Sequence, residues 1–305
     1  MIDFVGRKQW FFLVSGIALL ISIISLAAFK LEPGIDFTGG TSMTLQFAPQ
    51  VEQSQLRQQL TNLGHPEAMI QRSGGDFFIR LKEISPEERE DLIGGLETSL
   101  ASEVTVRDYS TVSPSIATET ARNAGIAVII ASVAMLLYIA WAFRRMPSPF
   151  RWGTCAIIAL IHNVLIVAGI FSVLGRATGV EIDALFITGL LTIVGYTINN
   201  TVVVFDRIRE NTVRTISQDF AVTVNCSLVE TLARSLNTSL TTLCVVLALL
   251  LFGGATIHYF VLVLFIGLIV GTYSSMCIAS PLLVVWEKGE WRQLLSRLPW
   301  ARKAA

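Results

Sequence analysis

Charge is scarce in this sequence. Asp, Glu, Lys and Arg make up 15% of its 305 residues against 52% hydrophobic residues, and the mean hydropathy is +0.61. A soluble globular domain carries about a quarter charged residues, so the chain falls outside that class. Cysteine is equally sparse: Cys155, Cys226, Cys244 and Cys277 are scattered, and no spacing suggests a metal site or a disulfide pair. Neither a Walker A sequence nor HExxH occurs, so ATP hydrolysis and zinc-protease chemistry are not indicated. The chain is expected to be no enzyme and to need no cofactor or metal. Basic residues are short in one region: residues 31–120 hold six of them against fourteen acidic ones, which argues against a nucleic-acid partner there.

What is abundant is uninterrupted apolar sequence. Six runs, near 10–29, 122–143, 152–174, 184–205, 236–253 and 259–285, are long enough to cross a hydrocarbon core of roughly 30 Å. Asn237, Thr238, Ser239, Thr241 and Thr242 dilute the start of the fifth. The first run exceeds the roughly 7–15 residues of a signal-peptide core, so it reads as an uncleaved anchor. Arg7 and Lys8 precede it, and Arg144, Arg145 and Arg151 follow the second run. Arg207, Arg209, Arg214 and Arg234 lie between the fourth and fifth, and Lys288, Arg292, Arg297, Arg302 and Lys303 follow the sixth. The short loops on the other side offer only Arg176. By the positive-inside rule both termini are cytoplasmic, and the ninety-odd residues after the first run are outside.

The expected organisation is a cytoplasmic N-terminus and first span (1–30), an external domain (31–121), spans two to six (122–286) and a cytoplasmic basic tail (287–305). Segment 207–235, with Ile208, Val213, Ile216 and Phe220 among charges, reads as a cytoplasmic interfacial helix. In the external domain 41–47 alternates like a strand, and 51–63 places Val51, Leu56, Leu60 and Leu63 along one helical face. Residues 67–72 and 76–82 form a hairpin about Ser73-Gly74-Gly75. Ser85 and Pro86 open a helix with acidic residues in its first turn, and 103–109 is a last strand. The order β-α-β-β-α-β is that of a ferredoxin-like module. It holds no catalytic constellation, and His65 beside Pro66 reads as a loop residue.

Polar residues inside apolar runs mark a second layer of information, because they are expensive at membrane depth. In the fourth run Thr188, Thr192, Gly195, Tyr196, Asn199 and Asn200 fall within an arc of roughly 140° at about 100° per residue. Asparagine does not titrate, so Asn199 and Asn200 read as hydrogen-bonding residues between helices, able to orient water or a carboxylate from a partner. Asp206 follows at the end of the run. His162-Asn163 in the third run suits either a proton relay or a neutral histidine bonded to a neighbouring helix. Arg234 is an interfacial anchor or reaches into the bundle. Gly267 and Gly271 form a GxxxG pair for close helix packing, with Gly195 a further packing candidate. Outside the first run, Gly34, Asp36, Phe37, Gly39 and Gly40 sit in PGIDFTGG, whose glycines permit a close chain reversal. Taken alone this is a membrane-exit turn with Asp36 solvated.

GIDFTGG (34–40), VGYTINNTVVVFDRIREN (194–211), TLARSLNTSLTT (231–242) and GLIVGTYSS (267–275) occur in that order, on six spans with one external domain. Together they resemble SecF of the SecD/SecF protein-export family, in the RND superfamily. The resemblance implies a six-transmembrane RND-type half-bundle with an inserted α+β ferredoxin-like extracytoplasmic domain, in the bacterial inner membrane. It implies SecD as partner beside the SecYEG translocon, translocating precursor proteins as cargo, and proton flow along the SecD–SecF interface as the energy source. Family members carry an acidic residue where this chain has Asn200, and Asp where it has Asn163, while Arg234 and Asp206 match. The proton-path or interface set is thus Asn199, Asn200, Arg234, Asp206, His162 and Asn163, with the titrating carboxylate expected from SecD. Two other readings stay open: a structural partner of SecD, and an RND-type exporter of small molecules.

Overall fold

The computed structural model describes residues 2–73, 75–144, 146, 148–254 and 257–290. Arg145 and most of the expected basic tail, including Arg292, Arg297, Arg302 and Lys303, lie outside the described residues. The chain divides into an α+β unit, residues 32–126 with 177–184, and a helical unit made of the rest.

The α+β unit begins with a single turn, α2 (Ile35–Thr38), and continues as β1 (Gly40–Ala48), α3 (Gln53–Asn62), β2 (Met69–Ser73), β3 (Asp76–Leu81), α4 (Pro86–Leu100) and β4 (Glu103–Val112). The sheet order is β2-β3-β1-β4 with every neighbour antiparallel, the β-α-β-β-α-β arrangement expected from the sequence. Strand alternation decides which face is buried. Met43, Leu45 and Phe47 of β1, Phe77, Ile79 and Leu81 of β3 and Ile70 of β2 pack with Leu56 and Leu60 of α3 and Leu92 and Leu96 of α4. Both helices are started by reciprocal capping boxes, Glu52 with Gln55 and Ser85 with Glu88, and Pro86 opens α4.

Among the described residues, six helical stretches are long and apolar enough to span a membrane: α1 (Lys8–Phe29), α5 (Pro114–Ala142), α6 (Pro149–Thr178), α7 (Ala184–Val213), α8 (Phe220–Phe252) and the stretch His258–Glu287. The last comprises α9 (His258–Ser274), a π-helical turn (Ser275–Ala279) and α10 (Ser280–Glu287). The wide turn stands just before Pro281, which has no N–H to return to the preceding turn. Several helices overrun their apolar runs: α5 starts at Pro114 because Thr118, Glu119 and Arg122 keep helical geometry while lowering hydropathy.

The interfacial helix expected over 207–235 is not a separate element. Residues 207–213 are the last turns of α7, and 220–235 are the first turns of α8. The chain reverses between them, with Thr215 at φ 52° and Asp219 accepting the Ala221 N–H at 2.9 Å. The charges that suggested an amphipathic surface helix pair across this hairpin. Arg207 Nε reaches Glu230 Oε2 at 2.6 Å, and Asn211 Nδ2 reaches Ser227 Oγ at 2.9 Å and Glu230 Oε2 at 2.8 Å.

Helices in the helical unit approach where side chains are small. A Cβ on Gly169 of α6 would overlap Ser22 of α1, and Ser25 Oγ donates to the Gly169 carbonyl at 3.2 Å. Along α7 and α9 the matched positions advance in steps of four: Gly189 beside Val263, Ile193 beside Gly267, Thr197 beside Gly271. The two helices therefore run parallel along one seam. Gly195 is not part of it, since a Cβ there would meet nothing within 4 Å. The end of α10 is tied to three other helix starts by Lys8–Glu290 at 2.6 Å, Arg151–Glu287 at 2.8 Å and Lys288–Asp219 at 3.0 Å. Gly267→Val is expected to destabilise the helical unit by about 1–3 kcal/mol through overpacking against Ile193, whereas Gly195→Ala leaves it within about 0.5 kcal/mol. Thermal unfolding of the two variants in one detergent checks the contrast.

Candidate functional site

In the α+β unit, residues 33–40 form a junction. The Gly34 N–H donates to the Ile182 carbonyl at 2.7 Å, and the Ile182 N–H donates to that of Glu32 at 2.8 Å, so Pro33 and Ile182 pair as a parallel bridge. Gly39 (φ 75°) and Gly40 (φ 121°) occupy the region that favours glycine. A Cβ on Gly39 would stand 3.1 Å from the backbone of Pro114, where α5 starts, and one on Gly40 would stand 2.5 Å from the Leu81 carbonyl. Asp36 is not solvated. It is half-buried, and its Oδ2 accepts the N–H of Ala184, the first residue of α7, at 2.8 Å. A carboxylate at a helix N-terminus satisfies an orphan donor and suits the macrodipole. Phe37, half-buried, completes the α2 turn by donating its N–H to the Gly34 carbonyl at 3.1 Å.

Arg80, on the β3 face away from the core, gathers this junction. Its Nη1 donates to the Pro33 carbonyl at 2.9 Å and to Glu181 Oε1 at 3.0 Å, and its Nη2 donates to Thr38 Oγ1. Gln71 Nε2 of β2 donates to the Gly179 carbonyl at 2.6 Å. Burial pushes the Glu181 carboxyl above its ordinary range; Arg80 pulls it down, and Glu32 and Asp183 add to the rise.

In the helical unit, the polar residues of α7 divide between two environments. Thr188, Thr192 and Asn199 are exposed, while Thr197, Asn200 and Thr201 are buried. Asn200 Nδ2 and the Tyr196 hydroxyl each reach Ser239 Oγ of α8 at 3.4 Å, and Thr272 Oγ1 of α9 donates to the same oxygen at 2.8 Å. Thr201 Oγ1 lies 3.1 Å from Ser275 Oγ in the π turn. On α6, His162 and Asn163 are both buried, with Nδ1 of one 3.0 Å from Oδ1 of the other. His162 Nε2, Asn163 Nδ2 and Thr197 Oγ1 have no hydrogen-bond partner among the described residues. The histidine thus bonds within its own helix rather than to a neighbour. Arg234 is exposed and does not reach into the bundle, and Asp206 is held in a surface pair with Arg209 at 2.7 Å. Among the described residues, the buried polar side chains of the helical unit are hydroxyls, amides and one imidazole, with no carboxylate.

The family model for "Protein export membrane protein SecD/SecF, C-terminal" matches residues 94–289, and that for the "SecD/SecF GG Motif" matches residues 24–51. The chain belongs to the SecD/SecF family. It is 43% identical over 314 residues to the protein translocase subunit SecF of Thermobaculum terrenum, covering 97% of this chain and 98% of that one. It is 42% identical over 263 residues to the protein translocase subunit SecDF of Thermus thermophilus, covering 83% of this chain and 34% of that longer protein. The crystal structure of Thermus SecDF, described as a translocon-associated membrane protein, superposes with a TM-score of 0.84 at 39% identity, over 94% of this chain and 39% of that chain. These relatives support a role in Sec protein export for this chain, as a multi-pass membrane protein of the SecD/SecF family.

Sequence reasoning singled out the glycines and Asp36 of the GG segment but not their counterparts, Arg80 and Glu181. Those two are separated by 101 residues and belong to no shared periodic pattern. Ser239, which bonds Asn200, and Thr272, which donates to Ser239, were visible only as polar residues in apolar runs. The raised Glu181 carboxyl makes a signed prediction. The folded state takes up a proton at this group, so its contribution to stability is fully present below the ordinary carboxylate value of 4.5 and is lost as pH rises through the raised one. Glu181→Gln therefore gains stability relative to wild type as pH rises above 4.5 through the raised value, checked by paired thermal melts of the full chain at increasing pH.

Proposed function

We propose that this chain is a SecF-type export subunit that works with SecD beside the SecYEG translocon in the bacterial inner membrane. Its termini are cytoplasmic and its α+β domain is extracytoplasmic, in keeping with the asymmetry of lysine and arginine between the loops. It promotes the translocation and release of precursor proteins using proton flow, and the titrating carboxylate belongs to SecD. The observation that carries this division of labour is the chemistry of the buried helical core. Asn200 sits against the Ser239 hydroxyl, which in turn accepts from Thr272, and Asn163 sits against His162, where a carboxylate of this chain would have to be. An amide donates and accepts hydrogen bonds without exchanging charge, so it can hold water or a partner's carboxylate in place while the partner titrates. The exposed Thr188, Thr192 and Asn199 give α7 a second polar side that suits a partner helix better than lipid.

His162 is the imidazole of that core, so it is the group to challenge. In vesicles holding this chain, SecD and the translocon under an imposed proton gradient, His162→Gln is expected to keep proton flux within about twofold of wild type. Neutralising the membrane carboxylate of SecD is expected to abolish both flux and gradient-stimulated release. Loss of flux in His162→Gln with SecD intact, in complexes that assemble normally, overturns the assignment of the proton to the partner.

A further inference from the structure

The segment between the third and fourth spans is five residues long, 179–183, and it is held at several points together with Ala184, the first residue of α7. Gly179 offers its carbonyl to Gln71, Glu181 pairs with Arg80, and Ile182 exchanges backbone hydrogen bonds with Gly34 and Glu32. Ala184 gives its N–H to Asp36. All of these partners belong to the α+β unit. Both charges of the Arg80–Glu181 pair are largely shielded, at 17% and 12% side-chain exposure, so the pair does not fall in the class of surface ion pairs that contribute little. Arg80 also closes on the Pro33 carbonyl and the Thr38 hydroxyl, so one guanidinium ties β3, the GG segment and the interspan segment together.

Neither the family resemblance nor the export role assigns work to this arrangement. A free five-residue loop would absorb motion between its ends. A docked one transmits it, because its backbone is already fixed when it enters α7. The grip is fine-grained, since a helix sliding by one residue moves about 1.5 Å along its axis, enough to break the 2.8 Å bond between Asp36 and Ala184. The same α7 carries Asn200 in its buried half.

We infer that Arg80 and Asp36 are positioning residues that bind the segment 179–184 to the α+β domain, so that axial or rotational movement of α7 and rearrangement of that domain are passed to each other through this segment. The inference rests on the export reading above and adds to it the element that connects proton-linked events along α7 to work done by the domain.

The test uses the full chain with SecD and the translocon in vesicles. Two readouts are taken, hydrogen exchange over residues 179–186 and precursor released per proton transferred. Arg80→Ala and Asp36→Ala are each expected to accelerate exchange in the segment by about tenfold or more, while the amides of β1 and β3 stay protected, which shows that the domain is still folded. Release per proton is expected to fall by about tenfold in both. Asp36→Asn, which keeps an acceptor for the Ala184 N–H, is expected to recover most of the loss. Unchanged protection of the segment in both alanine variants overturns the inference, and so does faster exchange with undiminished release per proton. If wild-type vesicles show no gradient-dependent release, the export reading falls and this inference with it. If wild type couples and the variants couple equally well, only this inference falls.

Discussion

Hydrocarbon offers a helix no water with which to satisfy a stray polar group, and each one left unmatched there costs several kcal/mol. Tyr196, Thr197, Asn200 and Thr201 bring polar atoms into the course of α7, a helix apolar enough to cross a membrane. Much of the helical unit can be understood as the response. Ser239 offers its hydroxyl to Asn200 and Tyr196, Thr272 donates to that same Ser239 oxygen, and Ser275 offers a hydroxyl to Thr201. Gly267 and Gly271 let α9 come close enough for those hydroxyls to reach, at Ile193 and Thr197. The head of α7 meets the same requirement at its end, where Asp36 takes an N–H that has no partner within the helix.

Two of the four motifs, GIDFTGG and VGYTINNTVVVFDRIREN, serve one helix. The GG segment holds the start of α7 through backbone pairing with Ile182 and the Asp36 cap, and the Asn-Asn segment defines its buried polar middle. The glycines of the first motif are required by close approach as well as by torsion: Gly39 lies against Pro114, and Gly40 against the Leu81 carbonyl. The entry of α5 and the entry of α7 therefore converge on eight residues of the α+β unit. The amides at positions 163 and 200 bond His162 and Ser239 without bringing charge into these interiors, although Asn163 Nδ2 itself has no partner among the described residues.

Much of this was legible in the sequence because it is written in local patterns. The order of strands and helices in the α+β unit follows from alternation, a turn signal at 73–75 and the Ser85-Pro86 start, each acting over a few residues. The spans follow from apolar length. Three features were not legible, for physical reasons. Hydropathy cannot tell where an apolar helix ends once polar turns continue it, so 207–235 resembled a separate interfacial helix although its charges pair across the α7–α8 reversal through Arg207 and Glu230. Helical projection gave α7 one polar arc, but a helix is packed by neighbours on several sides, so Asn199 and Asn200 fall in different environments. The Arg80–Glu181 pair joins residues far apart in the chain, and no single-sequence pattern encodes such a pairing. Asp36 was misread for the same reason, since its partner Ala184 is 148 residues away.

The most direct measurement concerns the side of α7 whose Thr192 and Asn199 are exposed among the described residues. Photoreactive residues placed singly at Thr192 and Asn199, in native membranes containing SecD, read what lies against that side. Cross-links from both positions to SecD are the predicted result. Cross-links from both positions to lipid alone would contradict the partner-facing role of this helix, and with it the assignment of the proton-bearing group to SecD.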